Sequence, residues 1–297
     1  PNTYSVCRVR SDMVVDIAHL RKWVGRTEEA AETIAPEPLV GLMATLNRDD
    51  PAPEPGDPVP PGGHWLYFLP RPLQTELGVD GHAARGGFLP PVDLPRRMWA
   101  GGNIEFRECL RVGEQAKRVS TVADVVHKQG KSGELVFILV RHEIFGSEGP
   151  KIIEEHDIVY RAEVNTDAPS PAPKPVRSEG QWKRTISPDA VLLFRYSALI
   201  FNAHRIHYDY KFTTEDEGYP GLIVHGPLIA TMLMDLCRRE QPELVLRRFD
   251  YRAVSPLFDT APFTVNGRPS DNGRAAELWA ASADGRLAMT ADAEFAI

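Results

Sequence analysis

Two short segments of this 297-residue chain carry side chains that could do chemistry. The first is Phe201-Asn202-Ala203-His204-Arg205-Ile206-His207-Tyr208-Asp209, and the second, a loop later, is Gly221-Leu222-Ile223-Val224-His225-Gly226-Pro227-Leu228-Ile229. Imidazole is the side chain that titrates near neutrality without help, so His207 is a candidate general acid or base. His225-Gly226-Pro227 leads into an apolar run with helical spacing, which places Gly226 among the unpaired N–H groups and the positive dipole end of a helix start. With no side chain there, a ligand atom can come close to the backbone. A thioester carbonyl gaining negative charge as an enolate forms would find a donor aimed at it. An acid–base group beside such a donor can hydrate or dehydrate an acyl thioester.

The neighbouring residues are read against simpler roles. Asn202 can cap a turn; at the site its amide cannot take a proton at neutral pH but can orient a water. Asp209 belongs to the turn or assists His207. His225 orients the helix start beside the bound acyl group. Arg205 is a solvated cation or, through its planar fork, an anchor for a substrate carboxylate. His204 and His207 with Asp209 beyond suggest a metal, but further ligands at characteristic spacing do not follow, so no metal is expected. The sequence has no Gly-x-Ser-x-Gly elbow, dinucleotide fingerprint or phosphate-binding Gly-Lys-Ser/Thr loop, and no cofactor is expected. Residues 78–87 are glycine-rich without that spacing and are read as a mobile loop.

The elements that must position these groups occur twice. Leu228, Ile229, Met232, Leu233 and Leu236 form one apolar stripe, predicting a helix over 227–239. Its counterpart is a helix over 38–46, and Pro38 and Pro227 align at the first helical position of each. Strand-like segments follow each helix: 103–110, 117–127, 134–145 and 152–162 in the first half, and 249–255, 262–268, 275–283 and 286–296 in the second. Asp284-Gly285 and residues 128–133 read as hairpin turns. Glu105-Phe106-Arg107 and Asp250-Tyr251-Arg252 match position by position. The order implies an α+β fold in which an antiparallel sheet wraps a helix in each half. Proline-rich stretches at 49–63 and 167–176 favour extended, solvated backbone. The second divides the chain into an N-terminal half over 1–165, a linker over 166–180 and a C-terminal half over 181–297.

Composition excludes several classes. The formal net charge of -7 argues against nucleic-acid or anionic-membrane partners. No apolar run approaches the roughly 18–20 residues a membrane helix needs. Cys7, Cys109 and Cys237 are odd in number and far apart, so neither a disulfide framework nor a redox motif is indicated, and a reducing, cytoplasmic location is expected.

Residues 202–207 with His225-Gly226 resemble the active-site pattern of the MaoC-like, or R-specific enoyl-CoA hydratase, group of hotdog proteins. That pattern is roughly Asp-x-Asn-Pro-hydrophobe-His, followed later by a His-Gly helix start. Leu94-Pro95-Arg96-Arg97-Met98-Trp99-Ala100-Gly101-Gly102 and the strands after it resemble the catalytically degenerate first hotdog of double-hotdog members. The resemblance covers nearly the whole chain. It implies a double hotdog with one site, in the C-terminal half, and a hydro-lyase acting on an acyl-CoA substrate. It is strongest toward the branch acting on C5 dicarboxylyl-CoA thioesters such as mesaconyl-C4-CoA and itaconyl-CoA, and extends to fungal mitochondrial 3-hydroxyacyl-thioester dehydratases. Two positions depart from the pattern. Asn202 stands where the family has aspartate, which shifts proton transfer onto His207, and Arg205 replaces the proline. Straight-chain 3-hydroxyacyl-ACP or -CoA dehydration, acyl-thioester binding without turnover and thioester hydrolysis remain open, as do a monomer and a homodimer.

Overall fold

The helix that carries Gly226 is enclosed on every side. In the structure, a computed structural model that describes residues 15–130, 133–162, 174–176 and 179–296, helix α4 (Gly226–Glu240) buries ten consecutive residues, Leu228 through Cys237. The expected single stripe is therefore too narrow: the helix is wrapped, as apolar residues on all faces require. Its counterpart α2 (Glu37–Thr45) is shorter, buries Leu39, Leu42 and Thr45, and lies against α3 (Ala190–Leu199). A one-turn helix α1 (Ile17–Leu20) precedes both. In α2 and α4 the proline follows the first helical residue, where the missing N–H is equally harmless. Thus Glu37 and Gly226 occupy the first position.

Around the helices runs one ten-stranded antiparallel sheet. Its strands are β1 (Thr27–Thr33), β2 (Arg96–Phe106), β3 (Gln115–Gly130), β4 (Gly133–Gly146), β5 (Gly149–Arg161), β6 (Trp182–Ile186), β7 (Val245–Ala253), β8 (Phe263–Pro269), β9 (Ala275–Ser282) and β10 (Leu287–Ala296), in the order β1-β3-β4-β5-β2-β7-β10-β9-β8-β6. The two expected sheets are present as five-stranded halves joined edge to edge through β2 and β7. The matched triplets make Phe249 the counterpart of Ile104, and these two residues face each other across that join. A pseudo-twofold axis thus passes through the pair. Both side chains are fully buried, so the axis runs through the hydrophobic core.

That core draws on both halves: Leu39 and Leu42 of α2 belong to the same cluster as the whole apolar surface of α4 and the inner faces of β7 to β10. A smaller cluster, including Val122, Val136, Ile138 and Tyr160, fills the far end of the long β3–β5 meander. A second tie between halves is ionic. Asp235 on α4 is 2% exposed and accepts from Arg48 Nη1 at 2.8 Å, Arg184 Nη1 at 3.1 Å and Arg239 Nε at 2.7 Å. Three guanidinium groups offset the cost of burying that carboxylate.

The turn at Asp284-Gly285 forms as expected, with Gly285 at φ 77° and its N–H donating to Ser282 O. The tip of the other expected hairpin, residues 131–132, lies outside the described residues, as does most of the proline-rich linker. Its described part, 174–176, runs along that turn: Val176 N–H donates to Gly285 O and Leu287 N–H to Lys174 O. No helix among the described residues is long and apolar enough to cross a membrane.

Candidate active site

Helix α3, capped by the Asp189 side chain accepting from Leu192 N–H, ends at a residue in the left-handed region, Phe201 at φ 48°. The chain there turns sharply into 202–209. Asn202 N–H donates to Ser197 O, and Asn202 Oδ1 accepts from His204 N–H at 3.0 Å. Residues 205–207 make one tight helical turn, and Ile223 N–H donates to Ile206 O, which brings the approach to α4 alongside.

His207 is 7% exposed, and its Nδ1 lies 2.8 Å from Ile223 O. Burial, then the nearby His204, lower its pKa to about 3, against a small raising effect of the Ile223 carbonyl. The ring is therefore neutral at physiological pH. A carbonyl can only accept, so Nδ1 holds the proton and Nε2 presents its lone pair. His225 stacks on this ring with centroids 3.7 Å apart and planes 19° from parallel. It is fully buried, and its Nε2 is 2.8 Å from Ser197 Oγ. Burial, then His207, hold its pKa well below the ordinary value, while its Nδ1 has no hydrogen-bond partner among the described residues. His225 is the residue before the first helical position of α4, and the Ile229 N–H donates to its carbonyl.

Gly226, the first residue of α4, has an amide that helix geometry leaves without an intrahelical acceptor. A Cβ on Gly226 would stand 2.7 Å from Cε3 of Trp99. Trp99 comes from β2, so the half that lacks the histidine motif supplies a wall of the site. An irregularity in the β2–β5 register falls immediately after it, between Trp99 and Gly101, the kind of bulge that re-aims a side chain. The ring also stacks on Tyr251 at 4.5 Å and meets the edge of His156 at 5.8 Å. Behind it lies a buried polar knot. Glu154 accepts from Trp65 Nε1 at 2.7 Å and is bonded to His156 and His64, and against the cost of burial these partners keep its carboxyl ionised.

Of the remaining candidates, Asp209 takes the turn role among its two expected ones, and Arg205 is neither a free solvated cation nor open to a substrate. The guanidinium of Arg205 is taken up by the protein itself. Nε and Nη2 donate to Asp209 Oδ2 at 3.0 and 2.7 Å, Nη1 donates to Val79 O, and the plane stacks 4.0 Å over Phe212. Arg205 is thus a clamp for the 205–212 turn and has no free fork for a substrate carboxylate. Asp209 also accepts from Phe212 N–H, and that bond with the Arg205 bonds lowers its pKa, so it is part of the turn and not of a relay to His207.

Nor does residue 78–87 stand away from the site as a loose loop. Arg205 N–H donates to Asp80 O, and a side chain at Gly81 would collide with Ala203 O. This contact sets His82 against His204 with ring centroids 3.9 Å apart, and His82 Nδ1 lies 2.9 Å from Asp80 Oδ2. Burial, then the neighbouring His82, lower the His204 pKa to about 3, and His204 meets His207 edge-on at 5.5 Å. His204 therefore groups with Asp80 and His82 and not with Asp209. Ligand atoms of these three lie within 4.8 Å of one another, so they are the described residues that could hold a metal, although the Asp80–His82 hydrogen bond accounts for two of them without one. Sequence reasoning missed Asp80, His82 and Trp99 as site residues because nothing local marks a contact made across the fold.

Residues 62–259 match the sequence model of a family described as hydroxyacyl-thioester dehydratase type 2. A mesaconyl-C(4)-CoA hydratase of Chloroflexus aurantiacus is 46% identical over 275 residues, covering 92% of this chain and 96% of that protein. Among solved structures, HtdX of Mycobacterium tuberculosis superposes with a TM-score of 0.63 at 16% identity, over 91% of this chain and all of that one. A second Mycobacterium tuberculosis protein, described as having a double hotdog fold, superposes with a TM-score of 0.56 at 12% identity, over 92% of this chain and 96% of its own. The fold is therefore the double hotdog, α+β, expected from the sequence.

Proposed function

This chain belongs to the hydroxyacyl-thioester dehydratase type 2 family, and from that membership and the site we propose that it adds or removes water across the α,β-double bond of an acyl-CoA thioester. The observation that carries the reading is the single free ring nitrogen of His207, held in a defined tautomer next to the N-terminus of α4. In the hydration direction, His207 Nε2 takes a proton from water as the water oxygen bonds to Cβ. The π electrons move toward the thioester oxygen, where the Gly226 N–H receives the developing charge. His207 then returns the proton to Cα, which restores the neutral ring and the carbonyl. Asn202, whose Oδ1 is occupied by His204 N–H, has its amide NH₂ left to orient the water. His225 stacks under His207 and fixes the plane in which it works.

The relative named for mesaconyl-C(4)-CoA supports a branched C5 dicarboxylyl-CoA as the acyl group. One observation favours a second reading: with Arg205 committed to Asp209, the carboxylate anchor expected in this turn is missing, which suits a straight-chain (R)-3-hydroxyacyl thioester. Unpaired Cys109 and Cys237 support a reducing compartment such as the cytoplasm. Enoyl-CoA thioesters differing in length and terminal charge, each assayed for hydration with product mass, separate the readings. Replacing His207 by alanine is expected to lower turnover about 10²- to 10⁴-fold on whichever substrate is used. Near-normal turnover of that variant on every thioester would overturn the mechanism.

A further inference from the structure

Adjacent arginines on β2 have opposite fates. Arg96 is tied down: it donates to Tyr219 Oη at 3.3 Å and Glu217 O at 3.2 Å, stacks on the Tyr219 ring at 5.3 Å and so fixes the turn that leads to α4. Arg97, one residue on and therefore on the other face of the strand, is partly buried yet has no hydrogen bond, ion pair or ring partner among the described residues. A guanidinium offers five donors and cannot shed its charge. None of its nitrogens is among the buried donors that lack a partner, so the group meets water at rest and its N–H donors are open to an anion that enters.

Its position says where that anion would be. Side chains two apart on a strand share a face, so Arg97 stands beside Trp99, the ring that lies over Gly226. From the other side, Arg97 is close enough for its charge to oppose protonation of His204, which meets His207 edge-on. Arg97 thus shares a strand face with the ring that lies over Gly226, and its charge is felt at His204, the neighbour of the acid–base group. The phosphates of CoA are a whole pantetheine arm away from the reacting carbons.

We propose that Arg97 binds the free carboxylate of a dicarboxylic acyl group, and so is the specificity-determining residue of this site. The inference rests on the dicarboxylyl reading above and supplies the cation that Arg205 does not. The planar fork would take the carboxylate through two parallel N–H···O bonds, orienting the double bond between His207 and Gly226.

The test compares Arg97→Met and Arg97→Lys with the parent protein on mesaconyl-C4-CoA, on crotonyl-CoA as the uncharged partner and on the matching mesaconyl pantetheine thioester, with melting temperature as a check on folding. The parent is expected to prefer the acid. In Arg97→Met the ratio of kcat/KM for the acid over crotonyl-CoA is expected to fall about 10²-fold, on CoA and pantetheine carriers alike, with Arg97→Lys in between. A parent that prefers the acid and a ratio that does not move in either variant would overturn the role of Arg97 alone. A parent that hydrates only crotonyl-CoA would overturn both the role and the substrate reading. Equal losses on both CoA thioesters that vanish on the pantetheine carrier would assign Arg97 to a CoA phosphate and reject the carboxylate.

Discussion

Gly226→Ala tests whether the first helical position of α4 must be bare. The added Cβ would lie 2.7 Å from Trp99 Cε3 and 3.3 Å from Cζ3, where carbon atoms prefer about 3.5–4.0 Å, so the ring or the helix start must yield by roughly 0.8 Å or more. Trp99 has little freedom to yield. Tyr251 stacks on its face, and Trp65 and His156 meet it edge-on. Overpacking of this kind costs about 1–3 kcal/mol in stability, and a shift of about 1 Å at a catalytic donor costs roughly 10²-fold in rate. The variant is expected to melt at a lower temperature and to lose about 10²-fold in kcat with a small change in KM. Adding Trp99→Leu should restore a substantial part of both losses, because the clash is then gone while the backbone N–H remains. Tracking enoyl-thioester absorbance and thermal unfolding for the two single variants and the double variant gives the coupling energy directly. Full activity in Gly226→Ala would refute the placement of the oxyanion donor; an additive double variant would refute the clash.

Three further outcomes follow from the site and its supports. His207 has a folded pKa of about 3 against 6.5 when free, so the unfolded chain binds more protons between those values, and stability is expected to fall as pH drops through this window, by roughly 2 kcal/mol at pH 5 from His207 alone. Urea unfolding at pH 7.5 and pH 5 measures it, and equal midpoints would contradict the neutral buried ring. Asn202→Asp places a carboxylate where the family pattern has one; an anion there should raise the pKa of His207, moving the acid limb of kcat/KM toward neutrality, and an unmoved limb would put residue 202 out of range of His207. Asp235→Asn leaves Arg48, Arg184 and Arg239 around a neutral amide and is expected to destabilise the fold by about 3–5 kcal/mol, read as a lower denaturant midpoint at unchanged His207-dependent chemistry.

The periodic elements were legible because burial imposes a period. The apolar spacing of Leu228 to Leu236 located α4, and alternation along 286–296 located β10. Strand β1 escaped because Thr27–Thr33 is polar on both faces, as an edge strand facing water tends to be. Helix α3 escaped for another reason: Val191 and Phe194 are exposed, so its apolar residues do not mark its buried face. At the site, His207, Asn202, His225 and Gly226 could be singled out together since they lie in two neighbouring segments of chain, and the structure stacks His207 on His225 just before α4. For Arg205 the sequence left a solvated cation and a substrate anchor open: its partner Asp209 was visible, but the choice between a protein carboxylate and a substrate carboxylate depends on how the turn closes. Trp99 and Arg97 were visible only as part of a motif. Their relevance depends on β2 being the strand that joins β7, a fact of sheet order and not of spacing.

The join at Ile104 and Phe249 has a consequence for any chain cut in its proline-rich middle. Each fragment would carry an unsatisfied strand edge, β2 on one and β7 on the other, complementary to its lost neighbour and, through the pseudo-twofold relation, to a second copy of itself. Tethering is what favours the mixed pairing over the two self-pairings, by raising the local concentration of the right partner. Co-expressed fragments would then partition among one mixed and two like pairs. Only the mixed pair brings Trp99 over Gly226, so recovered activity would count the correct reassemblies.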